Sequence, residues 1–159
     1  MKAGRLVLRD GTVFEGTLVG SCDDAVGEVV FNTAMLGYEE AMTDPSYAGQ
    51  MLVFAAPHVG NTGFTRDDSE SERIQPRAII LNSLPTEPSN HAARESLVSW
   101  VERSGCVALC GVDTRRLVLH LRTHRTQMGA IGTSDAPVLQ AAAERLTALD
   151  SQSLVASVA

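Results

Sequence analysis

The sequence predicts an α/β domain that joins a hairpin-rich antiparallel layer to a partly parallel layer. Three observations predict it. Two alternating apolar runs meet at Asp10-Gly11 near the start of the chain. Three unbroken apolar runs of strand length follow, at Gln50–Ala55, Ala78–Leu81 and Cys106–Cys110. Helical patterns then alternate with the later strands, as in folds whose helices cover a sheet.

The opening strands are Arg5–Arg9 and Thr12–Val19. Asp-Gly between alternating runs signals a hairpin, because both residues tolerate positive φ. A third strand is expected over Glu28–Phe31, after Gly27. Met35–Met42 has mixed helix and loop character, weakened by Gly37. Thr43-Asp44-Pro45-Ser46 reads as a turn or helix start, since Pro fixes φ while Asp and Ser satisfy free backbone N–H groups. The three apolar runs lack alternation, which fits strands buried on both faces. Pro57 stops the first of them. His58–Gly63 is then a Gly-rich turn, and Arg66–Arg73 a charged loop.

Glu95–Arg103 carries Leu97, Val98, Trp100 and Val101 on one side of a helix, with Gly105 as its C-cap. Asp113 or Thr114 caps a second helix through Leu117, Leu121 and His124. Met128–Ile131 is a short strand. Asp135 and Pro137 start a final amphipathic helix reaching Leu149. The closing Leu154–Val158 is apolar, and we expect it to pack on something or to continue.

The chain has 159 residues, enough for one domain with a real core. Its net charge of −6 argues against binding a phosphate backbone in bulk, so nucleic acid is not an expected partner. No apolar run is long enough to cross a bilayer, and the N-terminus has no signal-peptide pattern, so no membrane partner is expected. Cys22, Cys106 and Cys110 are odd in number and lack a framework spacing, which suits free thiols in a reducing, cytoplasmic compartment.

Several residue groups invite a chemical reading. Cys106 and Cys110 fall on one face of a strand, and His91, His120 and His124 offer no metal spacing beside them, so buried structural thiols are favoured. Cys22 precedes Asp23-Asp24, whose charge opposes thiolate formation. His58 ends a strand but has no evident nucleophile beside it. Gly60 and Gly63 are too close for a phosphate loop. Asp67, Asp68, Glu70 and Glu72 lack the pattern of a calcium loop and read as a solvated acidic segment. Arg115, Arg116, Arg122 and Arg125 gather on or just after one helix. They read equally as a solvated cationic face or as a docking face, and Arg115 could instead pair within the domain.

The run Gly27–Glu40, Gly-Glu-Val-Val-Phe-Asn-Thr-Ala-Met-Leu-Gly-Tyr-Glu-Glu, continues as Thr43-Asp44-Pro45-Ser46-Tyr47-Ala48-Gly49-Gln50. It resembles the signature of the carbamoyl-phosphate synthetase small chain. Asp10-Gly11-Thr12, Gly60-Asn61, Asp68-Ser69-Glu70-Ser71, Ser89-Asn90 and Gly111-Val112-Asp113-Thr114-Arg115 also fall where that family has them. The resemblance runs from about residue 5 to residue 133. The sequence departs from the family at His91-Ala92, where an aromatic residue and Arg are usual. It departs again at Leu117-Val118-Leu119, where Leu-Thr-Arg is usual, and it lacks a Gly after the helix, at Thr123–Thr126.

The resemblance implies a swivelling β/β/α domain of three layers, the N-terminal domain of a small subunit, which docks on a large ATP-using subunit. It implies that a class I glutamine amidotransferase domain with a Cys-His-Glu triad would follow, and that residues 1–159 do not include it. It implies a place in glutamine-dependent carbamoyl-phosphate synthesis, which feeds arginine and pyrimidine production. No catalytic residue, metal or cofactor is expected in this chain; ATP and Mg belong to the large partner. One contact carries over: Ser46, in the Asp-Pro-Ser-Tyr motif, would lie near the glutamine site of the neighbouring glutaminase domain. Read without the resemblance, Ser46 and Asp44 simply cap a turn. The alternative is a stand-alone interaction module derived from this domain, without a role in synthesis.

Overall fold

The computed structural model describes residues 2–20, 24–34, 37–56, 73–83 and 96–145. Among these residues seven strands form one closed sheet: β1 (Lys2–Leu8), β2 (Val13–Gly20), β3 (Ala25–Asn32), β4 (Gln50–Phe54), β5 (Ala78–Ile80), β6 (Val107–Cys110) and β7 (Gln127–Gly132). Around the barrel the order is β1-β2-β6-β5-β4-β3-β7. Pairing splits it into two arcs. β3, β4, β5 and β6 are mutually parallel. The β1–β2, β1–β7, β2–β6 and β3–β7 ladders are antiparallel. The antiparallel arc is the hairpin-rich layer, the parallel arc is the second, and helices form the third.

The hairpin lies at Asp10-Gly11 as expected. Gly11 takes a φ of 93°, its N–H donates to the Leu8 carbonyl at 2.9 Å, and Val7 pairs with Val13 across the turn. β3 starts three residues earlier than its apolar pattern suggests, because Ala25 pairs with Ile131 of β7. Gly27 is therefore inside the strand. A Cβ there would come within 2.7 Å of the Gly49 carbonyl oxygen, so only glycine lets these backbones meet.

Strand alternation sorts the side chains into clusters. Leu6, Leu8, Phe14, Leu18, Val29, Met51, Val53, Ile80, Leu109 and Ile131 point into the barrel. Leu52, Phe54, Ile79 and Ala108 face outward and are covered by α1 (Tyr38–Thr43) and α2 (Leu97–Ser104) through Ala41, Met42, Leu97, Trp100 and Val101. On the antiparallel arc, Val7, Met128 and Ala130 are covered by Leu139 and Ala143 of α4 (Ala136–Arg145). The three apolar runs are thus buried on both sides, for the reason their missing alternation suggests.

α3 (Thr114–His124) has a different job. Its Leu117, Val118 and Leu121 join the interior cluster, so the helix closes the barrel mouth where β1, β3, β4 and β6 end. Asp113 is its N-cap, accepting the Arg116 N–H at 3.0 Å. Ser96 caps α2 in the same way, and Gly105 ends it at a φ of 69°. Among the described residues no helix is long and apolar enough to cross a membrane.

Candidate functional site

Between α1 and β4 the chain makes one 3₁₀ turn, Pro45–Tyr47. Asp44 precedes it in extended conformation and accepts the Ser46 N–H at 2.9 Å. Pro45 at the first position loses no hydrogen bond, because that N–H has no partner in a helix start. The Tyr47 and Ala48 N–H groups donate to the Asp44 and Pro45 carbonyls, each at 3.1 Å. Behind the turn, Tyr47 packs on the outer cluster and Ala48 bridges to Pro76. Ser46 itself is exposed. Its backbone is fixed by local bonds and its side chain is offered to solvent, so a binding partner need not order the turn. The turn lies on the side where the parallel strands begin.

The two described cysteines have no nucleophilic setting. Both face the outer cluster and are buried, as expected for residues four apart, which share one face of an extended strand. Burial pushes the Cys106 thiol up to about 12, against a smaller opposing effect of hydrogen bonds to the Val107 and Ile79 backbone. Burial alone pushes Cys110 up to about 12. At neutral pH both are protonated and unreactive.

The arginines of α3 do not form one uniform face. Arg116 is spent on the barrel rim: its guanidinium sits 4.1 Å from the Phe14 ring centroid and donates to the Val13 carbonyl at 3.1 Å. Arg122 lies over Phe31 at 5.5 Å. Arg125 follows the helix at a φ of 69° and ψ of 167°. Among the described residues no carboxylate pairs with Arg115, so the internal ion pair considered for it is not formed with any of them.

One polar cluster was invisible in the sequence. His120 Nε2 lies 2.7 Å from Asp10 Oδ2, and Gln127 both donates to that carboxylate and accepts the Asp10 N–H, each at 3.0 Å. The Thr12 N–H donates to Asp10 Oδ1 at 2.9 Å. Partial burial works to raise the Asp10 carboxyl pKa. The bonds from Thr12, His120 and Gln127 outweigh it and hold the group well below the usual carboxylate range. The nearest sequence signal was the turn-forming Asp10 and the His120–His124 pair one helical turn apart, whose rings lie 4.4 Å apart.

Cys22, His58, Gly60, Gly63, Asp67, Asp68, Glu70, Glu72, Ser89-Asn90, His91-Ala92 and Leu154–Val158 lie outside the described residues.

Residues 6–131 match the family described as carbamoyl-phosphate synthase small chain, CPSase domain. Curated relatives agree. The carbamoyl phosphate synthase small chain of Xanthomonas axonopodis pv. citri is 49% identical over 136 residues, covering 86% of this chain and 35% of that one. Its namesake from Xylella fastidiosa is 44% identical over 151 residues, covering 94% and 40%. The one from Pseudomonas aeruginosa is 45% identical over 130 residues, covering 82% and 34%. The chain therefore spans only about 34–40% of the length of these relatives.

Proposed function

The chain belongs to the carbamoyl-phosphate synthase small-chain family, and from that premise we propose that it acts as the N-terminal domain of a small subunit in glutamine-dependent carbamoyl-phosphate synthesis. In this reading it docks on a large ATP-using subunit and completes the glutaminase site of the neighbouring domain through Ser46. ATP and Mg are used by the large partner, and this domain holds no cofactor. The observation that supports the reading best is the pairing of the family match with the pre-formed Asp44–Tyr47 turn, which presents Ser46 on a fixed backbone.

The division of labour follows from the chemistry. Thiols pushed up to about 12 supply almost no thiolate at neutral pH, so Cys106 and Cys110 do not attack an amide. The nucleophile belongs to the amidotransferase domain. Ser46 contributes binding: its hydroxyl bonds a charged group of glutamine and holds the substrate toward that nucleophile. One such hydrogen bond is worth about 1.5–3 kcal/mol, which is roughly tenfold or more in affinity.

The test is Ser46→Ala in a complete small subunit assembled with its large partner, followed by the ratio of glutamine-driven to ammonia-driven carbamoyl-phosphate formation. We expect that ratio to fall by roughly tenfold or more, with ammonia-driven synthesis and folding retained. An unchanged ratio would leave Ser46 as a turn residue only. Equal loss of both activities would move its role to assembly.

A further inference from the structure

On the side opposite the Ser46 turn, where the parallel strands end, the surface holds a groove of about 480 Å³. Thr33, Ala55 and Asn82, which follow β3, β4 and β5, form one side. Thr114, Arg115 and Arg122 of α3 form the other. Strand-end loops diverge at the carboxyl edge of a parallel sheet, which makes it the usual place for a ligand. The volume is that of a small-molecule site.

The side chains here have unused polar capacity. Thr114 is only 2% exposed, and among the described residues nothing hydrogen-bonds its hydroxyl. Its N–H is already taken by the Val112 carbonyl at 2.8 Å. A buried hydroxyl without a partner is costly, and native structures seldom tolerate one without a reason. Arg115 and Arg122 stand two helical turns apart, roughly 10 Å along the axis. Among the described residues neither meets a carboxylate, and Arg122 is steadied by the Phe31 ring. The adjacent carboxylate of Asp113 is engaged as the helix cap, accepting the Arg116 N–H. The rest of the α3 lining is apolar, from Val118 and the half-exposed Leu119.

We propose that this groove is a binding site for a small organic carboxylate. The oxyanion head accepts from the Thr114 hydroxyl and the two guanidinium groups, and a short hydrocarbon part lies against Val118 and Leu119. The site is separate from the Ser46 reading and is tested on the chain alone, so either can fail without the other.

The experiment is a titration of the whole chain with butyrate, watched by amide chemical shifts, with sodium chloride and inorganic phosphate in parallel. We expect saturable shifts centred on Thr114, Arg115 and Asn82 with butyrate, in the millimolar range, and only small linear drifts with chloride. Thr114→Val should weaken binding about tenfold while leaving the chain as stable as before or more so, because it removes a buried hydroxyl that has no partner among the described residues. Thr114→Ser, which keeps the hydroxyl, should bind within about twofold of the parent and serves if the valine variant does not fold. The double variant Arg115→Gln, Arg122→Gln should lose saturable binding. Drifts alike for butyrate and chloride, shifts centred elsewhere, or undiminished binding by Thr114→Val or by the double variant would each overturn the site. Phosphate binding more tightly than butyrate would overturn the organic-carboxylate class.

Discussion

The two flanks of α3 carry polar clusters of opposite character. On one flank Asp10, Thr12, His120 and Gln127 form a closed set in which each group answers another. On the other, Thr114, Arg115 and Arg122 border a groove and, among the described residues, meet neither carboxylate nor hydroxyl acceptor. Both flanks hang from the same buried edge of the helix. A closed network stabilises and fixes geometry, because every desolvated group is compensated. An open one gives up stability to keep recognition capacity. Physical chemistry thus assigns the first flank to the fold and the second to binding.

The largest effect should come from breaking what the two flanks share. Leu117 is fully buried in the interior cluster and anchors α3 across the barrel mouth. We expect Leu117→Ala to cost about 2–5 kcal/mol, as for other buried leucines. Chemical denaturation should show this as a lower midpoint, and the His120 and Thr114 amides should lose protection from hydrogen exchange together. Loss on one flank alone would mean that the two do not share an anchor.

Asp10→Ala separates the flanks. It removes the acceptor for Thr12, His120 and Gln127 and should cost about 1–3 kcal/mol, without altering the groove. The pH dependence gives the same contrast with a definite sign. The folded Asp10 carboxyl titrates below its ordinary value of 3.8, so the unfolded chain binds the proton first. Its contribution is fully present above that value and is lost as pH falls below it. Urea midpoints should therefore drop between about pH 4 and lower values more steeply in the parent than in Asp10→Ala. Equal slopes would remove Asp10 from the list of stabilising groups.

Local chemistry made much of the fold legible. Asp10-Gly11 gave the hairpin, Asp113 and Gly105 gave helix ends, and the unbroken apolar runs gave the parallel strands. The Asp44-Pro45 turn was legible for the same reason, since its bonds span only a few residues. Barrel closure was not. β7 pairs with both β1 and β3, and no local pattern encodes a register between residues so far apart. The Asp10–His120 contact joins positions 110 residues apart and was hidden likewise. Arg116 read as a surface cation because nothing local says that Phe14 lies beneath it.

A smaller effect is expected just past α3. Arg125 sits at a φ of 69° and ψ of 167°, a region that is nearly glycine-only. Such strain costs about 1–3 kcal/mol, while glycine gives back roughly 0.4–1 kcal/mol through the unfolded chain. Arg125→Gly should therefore stabilise the domain by about 1 kcal/mol, read as a raised thermal midpoint. Loss of butyrate binding in that variant would extend the open flank to Arg125; unchanged binding would confine it to Arg115 and Arg122.

The smallest expected change is the most informative about the open flank. Arg115 is exposed and, among the described residues, has no ion-pair partner, so its charge does little for the fold. Among the described residues Arg122 contributes a ring contact at 5.5 Å, toward the weak end for such pairs, and no ion pair. We expect Arg115→Gln and Arg122→Gln each to shift stability by no more than about 0.5 kcal/mol. Being far apart on the helix, their effects should add. Parallel urea titrations of the two single variants and the double variant check both points. A loss comparable to that of Asp10→Ala would show that the arginines serve the barrel mouth as His120 does, and the contrast between the flanks would collapse. Near-neutral stability leaves their charge with no structural work, which is the condition under which two cations beside a buried hydroxyl that has no partner among the described residues are best explained by a ligand.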